Sequence, residues 1–183
     1  MKTVFITGAS GGIGKAVAEK FAANGYFVGV GYYKNERAAK GLAEAINGLA
    51  VRVDVRDEAS VDAAVRAFVS RAGKLDVLVN SAGVALPIKT LLDTTEKEFD
   101  ETFAVNVKGT YNAIKRALPA LLKSGGSIVN VSSMWGVTGG SCEAIYSASK
   151  AAVIGMTKAL AKEYARSGVT INCVAPGYID TPM

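Results

Sequence analysis

Histidine is absent from this 183-residue chain, and cysteine occurs only at Cys142 and Cys173. Two cysteines cannot build a disulfide framework, and without histidine or a CxxC pair no metal site can be read, so a reduced, cytoplasmic setting is expected. Long apolar runs are missing too. Val4-Phe5-Ile6 is far shorter than a signal-peptide core, and later apolar stretches are broken by charge or glycine before they could span a bilayer, so no membrane association is expected. The net charge of +5 comes from 21 basic and 16 acidic residues scattered along the chain. Without a basic run, a nucleic-acid partner is not expected, and anionic small ligands fit better. The lack of histidine also removes the commonest proton carrier of enzyme sites. Any acid–base chemistry here must use another group.

Half of the residues are apolar, enough for a substantial core in one domain spanning residues 1–183. Short β-branched runs read as strands at Thr3 to Thr7, Tyr26 to Tyr32, Ala50 to Val53, Leu75 to Val79, Ser127 to Val131 and Val169 to Val174. Between them, stretches near 12–24, 35–47, 58–72, 95–123 and 144–166 have helical period. Val61, Val65, Phe68 and Val69, for example, form one stripe. Crossovers of that length demand parallel strands, which predicts an α/β fold: a three-layer, doubly wound parallel sheet of the Rossmann type. Ligands on such sheets sit beyond the carboxyl ends of the strands, where strand order reverses. The segments placed there include Gly8 to Gly14, Tyr33-Lys34-Asn35, Asp54-Val55, Asn80 to Gly83, Ser132-Ser133 and Ala175-Pro176-Gly177.

"T-G-A-S-G-G-I-G", residues 7–14, follows the first strand and opens the first helix. Glycines at Gly8, Gly12 and Gly14 permit a tight turn and close approach of a pyrophosphate, while free N–H groups at the helix start receive its charge. With Ser10 and Ile13, they form the expected dinucleotide loop. No Gly-Lys-Ser/Thr follows, which excludes a P-loop. Many dinucleotide folds carry an acid at the end of the second strand to bind the ribose 2′-hydroxyl of NAD. This chain has Tyr32-Tyr33-Lys34-Asn35, with no acid before Glu36. Lys34 would attract a 2′-phosphate, so NADP (NADPH) is favoured over NAD.

"Y-S-A-S-K", residues 146–150, puts a phenol and an ammonium one helical turn apart, on the same rim as the glycine loop and Ser132-Ser133. A phenol with pKa about 10 needs about 4 kcal/mol to reach neutrality. One ammonium about 4 Å away supplies roughly that at an effective dielectric near 20. Tyr146 is therefore the expected acid–base group, and Lys150 the residue that tunes it.

The chain resembles the short-chain dehydrogenase/reductase family from its first residue to its last. The resemblance is carried by T-G-x-x-x-G-x-G at 7–14, Asp54, N-S-A-G at 80–83, Asn106, Ser133, Y-x-x-x-K at 146–150 and P-G at 176–177. Within the family it looks most like the 3-oxoacyl-[acyl-carrier-protein] reductase group, which functions in fatty acid biosynthesis. The resemblance implies that Tyr146 protonates the carbonyl oxygen, Ser133 hydrogen-bonds that oxygen, Lys150 also binds the nicotinamide ribose, and Asn106 holds a water linking Lys150 to solvent. It further implies that Asp54 and Val55 contact adenine, that Asn80, Ala82 and Gly83 line the cofactor, and that Pro176, Gly177, Ile179 and Thr181 surround its carboxamide. The residues alone leave plainer readings open: Asn106 as a helix cap or kink, Asp54 as a turn residue. Two positions depart from the family pattern. Ser81 stands where asparagine is commoner, and Gly11 where carrier-protein reductases often have a basic residue for the 2′-phosphate.

Family members continue past "Y-I-D-T-P-M" through a substrate lid, another helix and a seventh strand, so the chain resembles one cut off at the lid. The resemblance also implies a homotetramer. The expected function is NADPH-dependent reduction of a ketone or a 3-oxoacyl thioester, free or on acyl-carrier protein. Two alternatives stay open: an NAD(P)-dependent alcohol or sugar dehydrogenase, and a dinucleotide-binding sensor or scaffold without turnover.

Overall fold

The computed structural model describes residues 1–181. Strands and helices alternate: β1 (Lys2–Thr7), α1 (Gly12–Ala23), β2 (Tyr26–Tyr32), α2 (Glu36–Ala45), β3 (Leu49–Arg52), α3 (Glu58–Ala72) and β4 (Val77–Asn80). There follow α4 (Glu96–Phe103), α5 (Gly109–Ser124), β5 (Ser127–Val131), a short α6 (Trp135–Thr138), α7 (Ala144–Glu163) and β6 (Thr170–Val174). Local chemistry sets several of these bounds. Asp57 caps α3 by accepting from the Ala59 N–H, and Gly73 ends it at φ 83°. Thr95 and Glu98 form a reciprocal capping box at the start of α4.

The six strands form one parallel sheet in the order β3-β2-β1-β4-β5-β6. Alternation along each strand separates two cores. Phe5, Leu78, Ile128 and Ile171 face α3 and α5, where Phe68, Ile114 and Leu121 complete the packing. Val4, Ile6, Val28 and Val30 face the opposite way, against Ala18, Ala39 and Leu42 of α1 and α2. Among the described residues no helix is long and apolar enough to cross a membrane.

Order reverses between β1 and β4, so the loops after these strands diverge to leave a crevice. They also touch. A Cβ at Gly8, whose φ is 69°, would lie 2.7 Å from the Ala82 backbone, so only glycine lets the two loops meet at the switch point. One register row near this rim is polar across four strands: Thr7, Asn80, Asn130 and Cys173. Asn80 donates to Asn130 (2.8 Å), which donates to Thr157 of α7 (2.9 Å). The row ties the rim to the helix that carries Tyr146 and Lys150.

The helix expected over 95–123 is interrupted. Residues Ala104–Lys108 form a π-helical turn between α4 and α5. Asn106 is the cause. Its side chain accepts from the Val84 N–H (2.8 Å) and donates to the Val84 carbonyl (2.9 Å) and the Ser149 hydroxyl (3.0 Å). Its own carbonyl accepts from the Thr110 hydroxyl (2.8 Å). A wider turn swings the amide inward to make these bonds, as π-bulges commonly do beside functional sites.

Candidate active site

A cleft of about 500 Å³ opens along the carboxyl rim. Its floor is the glycine loop, where Gly8, Ser10, Gly12, Ile13 and Gly14 all face the cavity. A Cβ on Gly14 would lie 2.9 Å from the Gly8 carbonyl carbon, and Gly12 sits at φ 41° with Thr181 close above it. The start of α1 has no side-chain cap, which leaves its N–H groups free for an anion. This bare, glycine-lined cradle fits a pyrophosphate. Ala82 and Gly83 form one side wall, and Pro176, Gly177, Ile179 and Thr181 the roof.

The far wall carries Ser133, Tyr146 and Lys150, as the sequence predicts. The two adjacent serines differ in role. Ser132 donates to the Lys150 carbonyl (2.8 Å) and locks β5 to α7, whereas the Ser133 hydroxyl accepts from the Trp135 N–H (3.2 Å) and acts on the phenol of Tyr146. Lys150 is buried and donates to the Val131 carbonyl (3.0 Å). Burial holds its ammonium down to about 8. Its Nζ lies 5.7 Å from the centre of the Tyr146 ring. Gly83 packs against both Lys150 Nζ and Asn106 Oδ1.

One electrostatic expectation is corrected. The sequence suggests that Lys150 draws the Tyr146 phenol down towards neutrality, yet the phenol stands above its ordinary value. Burial is the largest cause; the Ser133 hydroxyl opposes it, and the Glu143 carboxylate adds to it. Lys150 is itself desolvated and turned to a backbone carbonyl.

Other predicted residues stand behind the cleft walls. Asn80 is buried, with Oδ1 unpartnered among the described residues and its amide on Asn130. Asn106 reaches the site only through Val84, Gly83 and Ser149. Val55 is buried against Gly109, and its carbonyl accepts from Asn112 (2.8 Å). Asp54 accepts from Arg56 through both carboxylate oxygens (2.9 and 2.8 Å), which lowers its pKa. Sequence reasoning missed Arg56. Its guanidinium also binds Glu101 (2.9 Å) and the Tyr33 hydroxyl (2.8 Å), clasping the ends of β2 and β3 to α4. The Asp-x-Arg pattern at a strand end was its only sequence signal. Lys34 Nζ lies 5.6 Å from the Tyr33 ring, outside the cleft wall, while Asn35 both caps α2 and lines the cleft.

A sequence profile described as short chain dehydrogenase matches residues 2–183. The chain belongs to the short-chain dehydrogenase family. It is 40% identical to a 3-oxoacyl-[acyl-carrier-protein] reductase FabG of Staphylococcus aureus, covering all of this chain and 76% of that protein. It is 42% identical to the oxidoreductase UcpA of Salmonella typhimurium, of which it covers 71%. Among solved structures, a 3-ketoacyl-(acyl-carrier-protein) reductase from Brucella melitensis complexed with NADH superposes with TM-score 0.96 at 34% identity, covering 99% of this chain and 77% of that one. ElxO with NADP bound gives 0.92 at 40% identity, covering 99% and 75%. This short-chain dehydrogenase is thus an oxidoreductase with a parallel, Rossmann-type sheet, and it spans about three-quarters of the length of these relatives.

Proposed function

We propose that residues 1–183 form an NADPH-dependent reductase domain that converts a ketone or 3-oxoacyl thioester to the secondary alcohol. The observation that carries this reading is the convergence of Ser133, Tyr146 and Lys150 on one wall of a cleft whose floor is a phosphate-sized glycine cradle. Gly8, Ser10, Gly12, Ile13 and Gly14 would hold the pyrophosphate. Tyr33 and Lys34 would hold the adenosine ribose, the segment at Asp54 and Val55 would lie at the adenine end, and Ala82 and Gly83 would line the central stretch in front of the buried Asn80. Pro176, Gly177, Ile179 and Thr181 would surround the carboxamide. When bound, the reduced nicotinamide supplies the hydride.

The protein's own part is proton transfer and orientation. Tyr146, held as the phenol, gives its proton to the carbonyl oxygen, and Ser133 hydrogen-bonds the same oxygen. Lys150 uses one of its three donors on Val131, so the others serve the ribose hydroxyls. Asn106 holds the π-turn that keeps Gly83 against Lys150. Lys34 supports NADP: β2 ends at Tyr32 without an acid, and the first carboxylate, Glu36, is paired with Lys40 (2.6 Å). Neighbours holding NADP and NADH are both known, so preference is the quantity to measure. Titration with NADPH and NADH at matched salt, followed by nicotinamide fluorescence, should favour NADPH; equal affinity refutes the Lys34 reading. Tyr146→Phe should keep cofactor binding and lose turnover by about a hundredfold or more. Unchanged turnover would sink the mechanism and leave the sensor alternative standing.

A further inference from the structure

The turn of α7 that runs from Tyr146 to Lys150 carries two buried serines that proton transfer and cofactor binding leave unused, Ser147 and Ser149. Ser147 accepts from the Gly140 N–H (3.0 Å) and ties down the loop before the helix. Ser149 is fully buried and serves a different element. Its hydroxyl donates to the Tyr146 carbonyl (2.7 Å) and accepts from Asn106 Nδ2 (3.0 Å), so its proton and a lone pair are both engaged. Serine is a poorer helix former than alanine, and a buried hydroxyl is costly unless it is bonded. What this one adds is a link between α7 and the π-turn. From Asn106 the contacts return to the same turn of α7. The amide brackets Val84, accepting from its N–H (2.8 Å) and donating to its carbonyl (2.9 Å). A Cβ on Gly83 would stand 3.2 Å from Asn106 Oδ1 and 3.3 Å from Lys150 Nζ. The circuit is closed: Tyr146 carbonyl, Ser149, Asn106, the Gly83-Val84 wall and the Lys150 ammonium.

We infer that Ser149 is a positioning residue for the Tyr146–Lys150 pair: by fixing the Asn106 amide to α7 it holds Gly83 against Lys150 and sets where the ammonium stands relative to the phenol. The inference rests on the reading of that pair as the proton-transfer machinery and adds to it a residue that touches neither substrate nor cofactor. Without the Ser149 hydroxyl, the only bond left to Asn106 Nδ2 among the described residues is the one to the Val84 carbonyl. A buried donor left unpaired costs more than the bond it has lost. The amide then turns or draws in water, and the Gly83-Val84 wall moves with it. The glycine cradle is built from β1 and α1 and keeps its place, so the chemical step suffers and cofactor binding does not.

Ser149→Ala and Ser149→Thr test this with NADPH and ethyl acetoacetate as the 3-oxo probe. Ser149→Ala should lower kcat by about tenfold while KM and the NADPH dissociation constant stay within about twofold. Ser149→Thr keeps a hydroxyl that can bond the same carbonyl and should restore kcat. In an Asn106→Ala background, Ser149→Ala should cost less than about twofold more, because the two side chains act as one unit. Additive losses overturn the inference, as does an unchanged kcat or a loss confined to KM and NADPH affinity. NADPH binding verifies that each variant is folded, and if the added methyl of threonine unfolds the chain, the alanine pair decides. Hydrogen exchange at the Val84 amide reads the link without turnover: protection should fall by at least about tenfold in Ser149→Ala. Should the parent reduce no ketone, the reductase reading fails by itself; lost protection then still upholds the Ser149 link, and unchanged protection overturns it.

Discussion

Lys150→Met should make the protein more stable at neutral pH. Burial lowers the Lys150 ammonium from 10.5 to about 8, so the folded state binds fewer protons than the unfolded chain between those values. Stability then rises with pH across that window, and below pH 8 the full penalty of burying the charge is present. A shift of this size corresponds to about 3 kcal/mol. The bond to the Val131 carbonyl returns about 1 kcal/mol, so replacement by methionine, similar in length and uncharged, should gain about 2 kcal/mol at pH 7. Between pH 8 and 9 the parent should gain about 1 kcal/mol, or roughly 0.5 M in urea midpoint for an m-value near 2 kcal/mol/M. The rise should disappear in the variant. The Cys173 thiol, raised by burial from its ordinary value of 9, acts with opposite sign at higher pH, so the comparison is best made in a Cys173→Ala background. Urea melts across this range decide it: a flat or falling parent midpoint, or a variant less stable at pH 7, would refute the burial argument.

Two further perturbations probe the framework. Gly14→Ala drives a methyl into the Gly8 carbonyl, and with no soft side chain to yield it should cost about 3 kcal/mol and abolish nicotinamide fluorescence on titration; retained binding would show that the turn can relax. Asn106→Ala leaves the half-buried Val84 N–H and carbonyl without their partners. It should cost about 3 kcal/mol and lower Tm by about 6 to 12 °C, and a change under about 2 °C would mean that water fully replaces the amide.

The strands were legible because each is a short β-branched run between helical stretches, and their bounds agree with the sequence reading to within two residues. The glycine loop was legible for a related reason: its spacing encodes backbone geometry, and Gly8, Gly12 and Gly14 each occupy a place where a Cβ strains or collides. Strand order put Ser132-Ser133 and the helix of Tyr146 and Lys150 on the cleft rim, the four-residue spacing paired the phenol with the ammonium, and the choice of Ser133 over Ser132 came from the family resemblance. What the sequence hid is non-local. The π-turn depends on Asn106 finding Val84, and the Arg56 clasp joins Asp54 to Glu101 and Tyr33, which lie on separate elements. The direction of the Tyr146 shift was hidden too, since spacing places a lysine near a phenol but does not say how much water either has lost.

That shift bears on the direction of the chemistry. Burial and the Glu143 carboxylate both oppose phenolate, and only the Ser133 hydroxyl favours it. On the proposed reading of Tyr146 as the proton donor, burial keeps the group a phenol in the free chain, which suits protonation of a developing alkoxide. Oxidation would need a phenolate, and thus positive charge beyond what Lys150 provides from its place on the Val131 carbonyl. An oxidised nicotinamide carries such a charge and a reduced one does not. Under the proposed mechanism the residues of this wall would thus favour reduction, and Glu143, by adding negative charge beside the phenol, would strengthen that bias.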